Sequence, residues 1–149
     1  MPESRRQELV AAVLARFKGI RIADGYETNL GLNVSEWRTD PMQEGEKDLL
    51  NLRDTVSPIL EEDTIGAHTH NLTVEVDLLS VNETPATQYR KMIADVIKAI
   101  GVDLTWGGLA EHTEPGAEEL VVEQASRKVI GGLVRFTVIY STARWTVYG

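Results

Sequence analysis

The sequence predicts an α+β domain in which a mostly antiparallel sheet carries two helices packed on one face. Two observations lead to this prediction. Two segments repeat apolar residues at helical spacing, and others alternate apolar and polar residues with the two-residue period of a half-buried strand. With 149 residues, the chain has the length of one domain, so we treat residues 1–149 as a single unit.

The N-terminal segment is predicted to form the first helix. Ser4 is a suitable N-cap, and Gln7 follows it at the capping-box spacing. The apolar stripe of this helix consists of Leu9, Val10, Val13, Leu14 and Phe17. Gly19 is suited to end the helix, and residues 20–31, which are rich in Gly and Asn, are predicted to form a connector.

Two or three strands are expected next. Residues 72–78 alternate strictly between apolar and polar side chains, which indicates a strand with one wet face. Residues 34–38 and 48–53 are weaker strand candidates.

A second helix is predicted from its caps and its apolar face. Thr84 is a good N-cap, Pro85 takes the favoured first helical position, and Gly101 is a suitable C-terminal stop. The predicted buried face consists of Tyr89, Met92, Ile93, Val96, Ile97 and Ile100. The charged residues, Asp95 among them, are expected elsewhere on the cylinder.

Two or three further strands complete the predicted sheet, with candidates at residues 120–124 and 134–141. Gly131 and Gly132 predict a bulge or a break near the start of the last strand. Residues 144–148 are expected either to pair as a final strand or to contact another chain.

Composition excludes several classes of protein. Apolar residues make up 42% and charged residues 26%, which is typical of a globular chain. There are no cysteines, so disulfides and thiolate chemistry are excluded. No stretch approaches the ~20 apolar residues of a membrane helix. The N-terminus reads as an amphipathic helix and not as a signal peptide, so we expect the protein to stay in the cytoplasm where it is made.

Charge is distributed unevenly along the chain. The net charge is −8, which would repel nucleic-acid phosphate, so we expect no sequence-specific nucleic-acid binding. Residues 1–21 carry +3, whereas residues 40–63 carry −6 and residues 111–123 carry −5. Outside the strand candidates at residues 48–53 and 120–124, the two acidic segments are predicted to be loops. They are either simply solvated or able to meet the basic segment across a subunit interface.

No catalytic residue or cofactor site is predicted. His68 and His70 would share one face at the start of a strand, but a catalytic zinc normally needs a third protein ligand. Glu75 is expected on the opposite face, and His112 in a loop. A small metal-dependent enzyme using His68 and His70 therefore stays open as an alternative, as does a ligand-binding module.

The tryptophans point towards protein–protein contacts. Trp37, Trp106 and Trp145 lie next to turn-like or terminal sequence, where tryptophan is often an interface anchor. Charge and aromatic placement together give a set of predicted interface residues. They are Arg5, Arg6, Trp37, Arg38, Asp40 and Trp145.

One segment carries a family resemblance. Gly-Tyr-Glu-Thr-Asn-Leu-Gly, at residues 25–31, follows the amphipathic helix and resembles the Gly-Tyr-x-Thr-x-x-Gly segment of tail terminators and related minor tail proteins of long-tailed bacteriophages. Residues 34–41, with Trp37, Arg38 and Asp40, and then residues 49–54 are similar to the family's next elements. The later strand, helix and closing strand also follow in the family order, whereas residues 107–116 match no part of it.

The resemblance implies a structural virion protein without catalysis. Tail terminators form a ring, usually of six subunits, which caps the completed tail tube, ends its polymerisation and presents a surface for head attachment. The implied partners are further copies of the chain, the tail tube protein and the head–tail connector or stopper protein. DNA would pass through the ring, no membrane is involved, and the ring would be assembled in the host cytoplasm into the virion tail or neck. A neck or head–tail joining protein and a tail-tube subunit are the nearest alternatives.

Overall fold

We describe the fold from a computed structural model, and the described residues are 3–43, 45–56, 59–64, 67–124, 128–143 and 145–148. The helices are α1 (Arg5–Lys18) and α2 (Pro85–Gly101), with two short 3₁₀ helices at Ile22–Asp24 and Leu30–Leu32. The strands are β1 (Val34–Glu36), β2 (Asp48–Val56), β3 (Ile59–Thr64), β4 (Ala67–Val81), β5 (His112–Gln124) and β6 (Val129–Ala143). The predicted α+β class, a mostly antiparallel sheet with two helices, is confirmed.

All of these strands belong to one sheet. Their order is β1-β2-β4-β6-β5, and β3 pairs with the first part of β4. The pairings are antiparallel except that of β1 with β2. Four strands therefore precede α2, and not two or three as predicted. β3 was not predicted, because three successive acidic residues interrupt any alternation of apolar and polar side chains.

The two long strands β4 and β6 form the centre of the sheet. Leu72, Val74, Val76 and Leu78 are buried in the core beneath the helices, as their spacing predicts. In β6, Val134, Phe136 and Val138 lie beside them on the same side of the sheet. The opposite side is the predicted wet face.

A row of charges crosses that wet face. Glu75 on β4 lies between Arg53 on β2 and Arg135 on β6, with nitrogen–oxygen distances of 3.1 Å to each. Arg135 continues the row to Glu119 on β5, at 3.3 Å. Signs alternate along the row, so it links four neighbouring strands by ion pairs.

Helix α1 follows its sequence signals closely. The Gln7 N–H donates to Ser4 Oγ at 3.1 Å, which confirms the predicted cap. Leu9, Val13 and Phe17 are buried, and the Phe17 ring packs edge-on against Phe136 with ring centroids 6.2 Å apart. The amphipathic N-terminal segment is therefore a core helix.

Helix α2 begins where predicted but ends one residue later, its predicted cap Thr84 makes no side-chain hydrogen bond, and its buried face is rotated. Pro85 begins it and Gly101 is its last residue. Ile97 is 58% exposed, however, so its prediction as a core residue was wrong. Asp95, expected on the polar side, is buried instead. The reason is tertiary: the connector after α1 packs over the Asp95 side of the helix, and Ile97 is left at an open groove.

The Gly131–Gly132 pair does not form the predicted bulge. The β4–β6 register runs through both residues without a shift, and the irregularities lie in β5. A Cβ at Gly132 would overlap the Tyr89 hydroxyl and approach the Glu119 carbonyl oxygen to 2.7 Å. This glycine is therefore needed for close packing of α2 on the sheet.

Both acidic segments contain more strand than the predicted residues 48–53 and 120–124. Residues 112–124 form β5, including His112, and residues 48–56 and 59–64 form β2 and β3. Residues 145–148 form a turn and not a final strand, closed by an N–H···O bond of 3.2 Å from Ala143 to Tyr148. Arg144 and Gly149 lie outside the described residues. None of the described helices is long and apolar enough to cross a membrane.

Candidate functional site

Two of the predicted interface residues meet at Asp54. The Arg6 Nε atom lies 2.6 Å from Asp54 Oδ2, and Trp37 Nε1 donates to Asp54 Oδ1 at 2.9 Å. Burial opposes ionisation of this carboxyl, but the hydrogen bonds from Trp37 and Arg6 outweigh it, so the pKa of Asp54 lies below its usual range. Sequence reasoning missed Asp54, although it continues the Leu50–Leu52 alternation on the helix side of β2.

Arg38 is held by groups of its own chain. Its Nη1 and Nη2 atoms donate to the two carboxylate oxygens of Glu46 at 2.8 and 2.7 Å, and its Nε donates to the Asp40 carbonyl oxygen at 3.2 Å. The hydrogen bond from Arg38, with further bonds from Gln43 and Asn33, lowers the pKa of Glu46 to about 2. The predicted intersubunit role of Arg38 and Asp40 stays a prediction.

The ion pair between Arg38 and Glu46 makes the stability of the fold depend on pH. A carboxyl whose pKa is lower in the folded than in the unfolded chain stabilises the fold above its unfolded pKa of 4.5, and the contribution is lost as pH falls towards 2. We expect Glu46→Gln to lower the melting temperature at neutral pH, and the difference from the unsubstituted chain to shrink between those two values. Melting curves across that pH range check this, and a difference that does not change with pH would contradict it.

A second group joins the two ends of the chain. The Arg5 N–H donates to the Val147 carbonyl oxygen at 2.8 Å, and the Arg5 side chain pairs with Glu8 at 3.1 Å. Trp145 is 83% exposed and touches His68 edge-on, with ring centroids 5.5 Å apart. The C-terminal turn therefore lies beside the start of α1, and Arg6 of the Asp54 group lines the same pocket as Thr146 and Val147.

The two strand histidines share a face, as predicted, and both contact aromatic rings. His70 stacks on Tyr140 with ring centroids 4.8 Å apart, and its Nε2 lies 2.8 Å from Thr142 Oγ1. Glu75 lies on the opposite face of β4, where it pairs with arginines. Among the described residues, no three His, Cys, Asp or Glu side chains are grouped so as to hold a metal ion.

An apolar groove lies between α2 and β5. Its volume is about 430 Å³, and Ile97, Leu104, Pro115 and Phe136 are among its lining residues. Ile97 and Leu104 are exposed, and Glu114 and Glu118 of β5 stand at its margin. We call the surface formed by Ile97, Leu104, Glu114 and Glu118 the acidic flank. In the described part of the chain, no other strand pairs with the outer edge of β5.

The connector after α1 forms a contrasting surface. Ile22 and Leu32 are both more than half exposed, and Lys18 and Arg21 are exposed beside them in the sequence. We call Lys18, Arg21, Ile22 and Leu32 the basic flank. It leads directly into β1, the strand at the end of the sheet opposite β5.

Asp95 fixes the segment that carries the resemblance. Its carboxylate accepts from the Glu27 N–H at 3.0 Å, the Thr28 N–H at 2.8 Å and the Thr28 hydroxyl at 2.6 Å. Gly31 approaches the backbone of the chain at Lys18 and Ile20 too closely for a Cβ. Residues 25–31 are therefore locked against both helices, which gives their unusual composition a structural reason.

Trp106 belongs to the core, unlike the other two tryptophans. It is 2% exposed, stacks on Phe136 at 6.1 Å and lies beneath the Arg16 guanidinium at 3.8 Å. Its indole N–H donates to Thr113 Oγ1 at 2.8 Å, and that hydroxyl donates to the Leu104 carbonyl oxygen at 2.7 Å. Grouping it with the interface anchors was wrong, because its turn folds back beneath α1.

No protein-family model and no curated protein sequence matches this chain.

Proposed function

We propose that the protein is a structural virion component that forms a closed ring on the end of a completed phage tail tube. In this role it ends tube polymerisation and presents a surface for head attachment. One observation carries the proposal. The sheet is open, and exposed apolar side chains accompany both of its ends, Ile97 and Leu104 beside β5 and Leu32 beside β1.

Such surfaces favour assembly over catalysis. An exposed apolar groove beside a long edge strand is typical of a protein-binding site. The two ends of the sheet differ from each other, so copies joined end to end would make head-to-tail contacts. Contacts of this kind generate a ring when the rotation between subunits closes.

The charge of the chain supports a ring that DNA can cross. A net charge of −8 disfavours tight phosphate binding, because the 23 acidic residues outnumber the 15 basic ones and repel phosphate. We propose that the acidic segments 40–63 and 111–123 contribute to the lining of the channel. An assembled ring with those segments on its outer rim and a basic channel would contradict this part of the proposal.

The test has two stages. Light scattering and negative-stain microscopy of the purified chain, at increasing concentration, are expected to show short closed rings. The rings are then added to the tail tube protein of the same virus while it polymerises. We expect tube length to fall as ring concentration rises, with one ring at a tube end, and boiled protein serves as the control.

Other outcomes would identify the alternatives. Long tubes formed by the chain alone would indicate a tail-tube subunit, and rings that leave tube length unchanged would favour a neck or head–tail joining role. Stoichiometric metal in the purified protein, lost in His70→Ala, would revive the metal-dependent enzyme. A monomer at every concentration and in particles would exclude the ring.

A further inference from the structure

We infer that the acidic flank of one copy receives the basic flank of the next copy, and that this contact joins neighbouring subunits. The inference rests on the proposed ring and adds the surfaces that build it. Ile22 and Leu32 of one subunit would cover the groove that Ile97 and Leu104 leave open on its neighbour.

Charge complementarity is the first reason to match the acidic flank with the basic flank of another copy. Glu114 and Glu118 are exposed at the groove margin, and in the described part of the chain neither has an ion-pair partner. Lys18 and Arg21 are likewise exposed and, within the same described ranges, unpaired. By contrast, Arg5, Arg6, Arg38, Arg53 and Arg135 are all committed to carboxylates of their own subunit. Arg90 and Lys91 are also exposed without an ion pair among the described residues, but only Lys18 and Arg21 stand beside the exposed aliphatic side chains of the connector, so we match the two flanks with each other.

Each flank also exposes two aliphatic side chains. Ile97 is 58% exposed and Leu104 37%, while Ile22 is 56% and Leu32 65% exposed. Each flank thus combines a pair of aliphatic side chains with a pair of charges. Burial of apolar side chains at the centre, with ion pairs at the rim, is the usual composition of a stable interface.

The placement of the flanks permits repeated contacts. The basic flank leads into β1 and the acidic flank contains β5, and these strands stand at opposite ends of the sheet order. The two flanks share no residue and are carried by different segments of the chain. The same contact repeated from subunit to subunit is heterologous, as a ring requires.

Cysteine crosslinking tests the contact directly, because the chain has no cysteine of its own. We expect the double variant Leu32→Cys/Ile97→Cys to give a ladder of disulfide-linked oligomers under mild oxidation, ending at the ring size. Each single variant should stay uncrosslinked, since a heterologous contact does not bring a residue against itself. Val147→Cys/Ile97→Cys is the control, because Val147 is exposed outside both flanks.

Charge reversal provides a second readout that does not depend on oxidation. Arg21→Glu and Glu118→Arg should each weaken self-association about tenfold or more, as measured by light scattering across a dilution series. An equimolar mixture of the two is expected to form oligomers in which the variants alternate, because each contact then pairs opposite charges again. Lys91→Glu, on an exposed part of α2 outside both flanks, should leave association unchanged.

The outcomes separate this inference from the proposed function. Rings that form without the Leu32–Ile97 ladder, or dimers of Ile97→Cys alone, would overturn the inference and leave the ring proposal standing. A ladder from a chain that does not shorten tail tubes would support the contact and contradict tube capping. A chain that stays monomeric throughout would overturn both.

Discussion

Replacing Asp95 by alanine is expected to lower the free energy of unfolding by about 3 kcal/mol, because buried donors of the connector would lose their acceptor. Asp95 is 1% exposed and accepts three hydrogen bonds from Glu27 and Thr28. Thr28 is itself buried, so water cannot replace the carboxylate without opening the connector. Urea unfolding followed by tryptophan fluorescence measures the loss.

Two further variants make this test specific. Asp24→Ala removes an exposed carboxylate from the same connector, and we expect its free energy of unfolding to stay within about 0.5 kcal/mol of the original. Asp95→Asn keeps the volume but turns an amide towards backbone donors, so it should also be destabilising. Equal stability of Asp95→Ala and Asp24→Ala would show that Asp95 does not lock the connector.

Trp106→Ala should cost about 3–5 kcal/mol, the usual loss for a large aromatic residue removed from a core. The indole ring lies between Arg16 of α1 and Phe136 of β6, and its N–H reaches Thr113 of β5. The substitution would leave a cavity beneath α1 and remove the donor to Thr113. Thermal and urea unfolding both report the effect.

Trp145 offers a matched control for this substitution. Both tryptophans have a left-handed backbone, with φ of 53° at Trp106 and 59° at Trp145, so they share the same local strain. Trp145 is 83% exposed, and Trp145→Ala should change stability by no more than about 0.5 kcal/mol. A comparable loss in the two variants would mean that Trp106 is not the packing centre described above.

The sequence predicted well those elements whose signals are local. The Ser4 cap, the stripe of α1, the Pro85 start of α2 and the alternation of residues 72–78 each depend on neighbours in the chain, and each is found in the fold. In β4 the alternation is readable because one side meets the helices and the other meets solvent. Its apolar period therefore reports burial directly.

Other features depend on what packs against a residue from far away. β5 contains four glutamates, because an edge strand with an exposed outer side need not be apolar, and only its residues 120–124 were therefore predicted as a strand. Asp95 is buried because the connector brings donors to it. Trp106 is buried because its turn folds beneath Arg16. No periodicity within either segment records these long-range partners.

The predicted interface residues likewise combine features with a local sequence signal and features that depend on distant parts of the chain. The sequence analysis named Arg6 and Trp37 as interface residues by charge and aromatic character, but it did not predict that both bind Asp54, which lies on another element. The two flanks could not be predicted from the sequence either, because the spacing of Ile97 is typical of a core residue and Leu32 resembles part of a connector. Exposure of these two side chains becomes visible only when the positions of β5 and β1 are known.

The alternating charges of Arg53, Glu75 and Arg135 favour the native register of the strands. A slip of one residue along β4 would carry Glu75 through to the apolar side and leave the two guanidinium groups without the carboxylate between them. Misaligned pairings of β4 with β2 or β6 would thus combine a buried acid with uncompensated cations, which disfavours them during folding. This selection acts within each chain, before any contact with another molecule, and raises the fraction of chains that reach the native register.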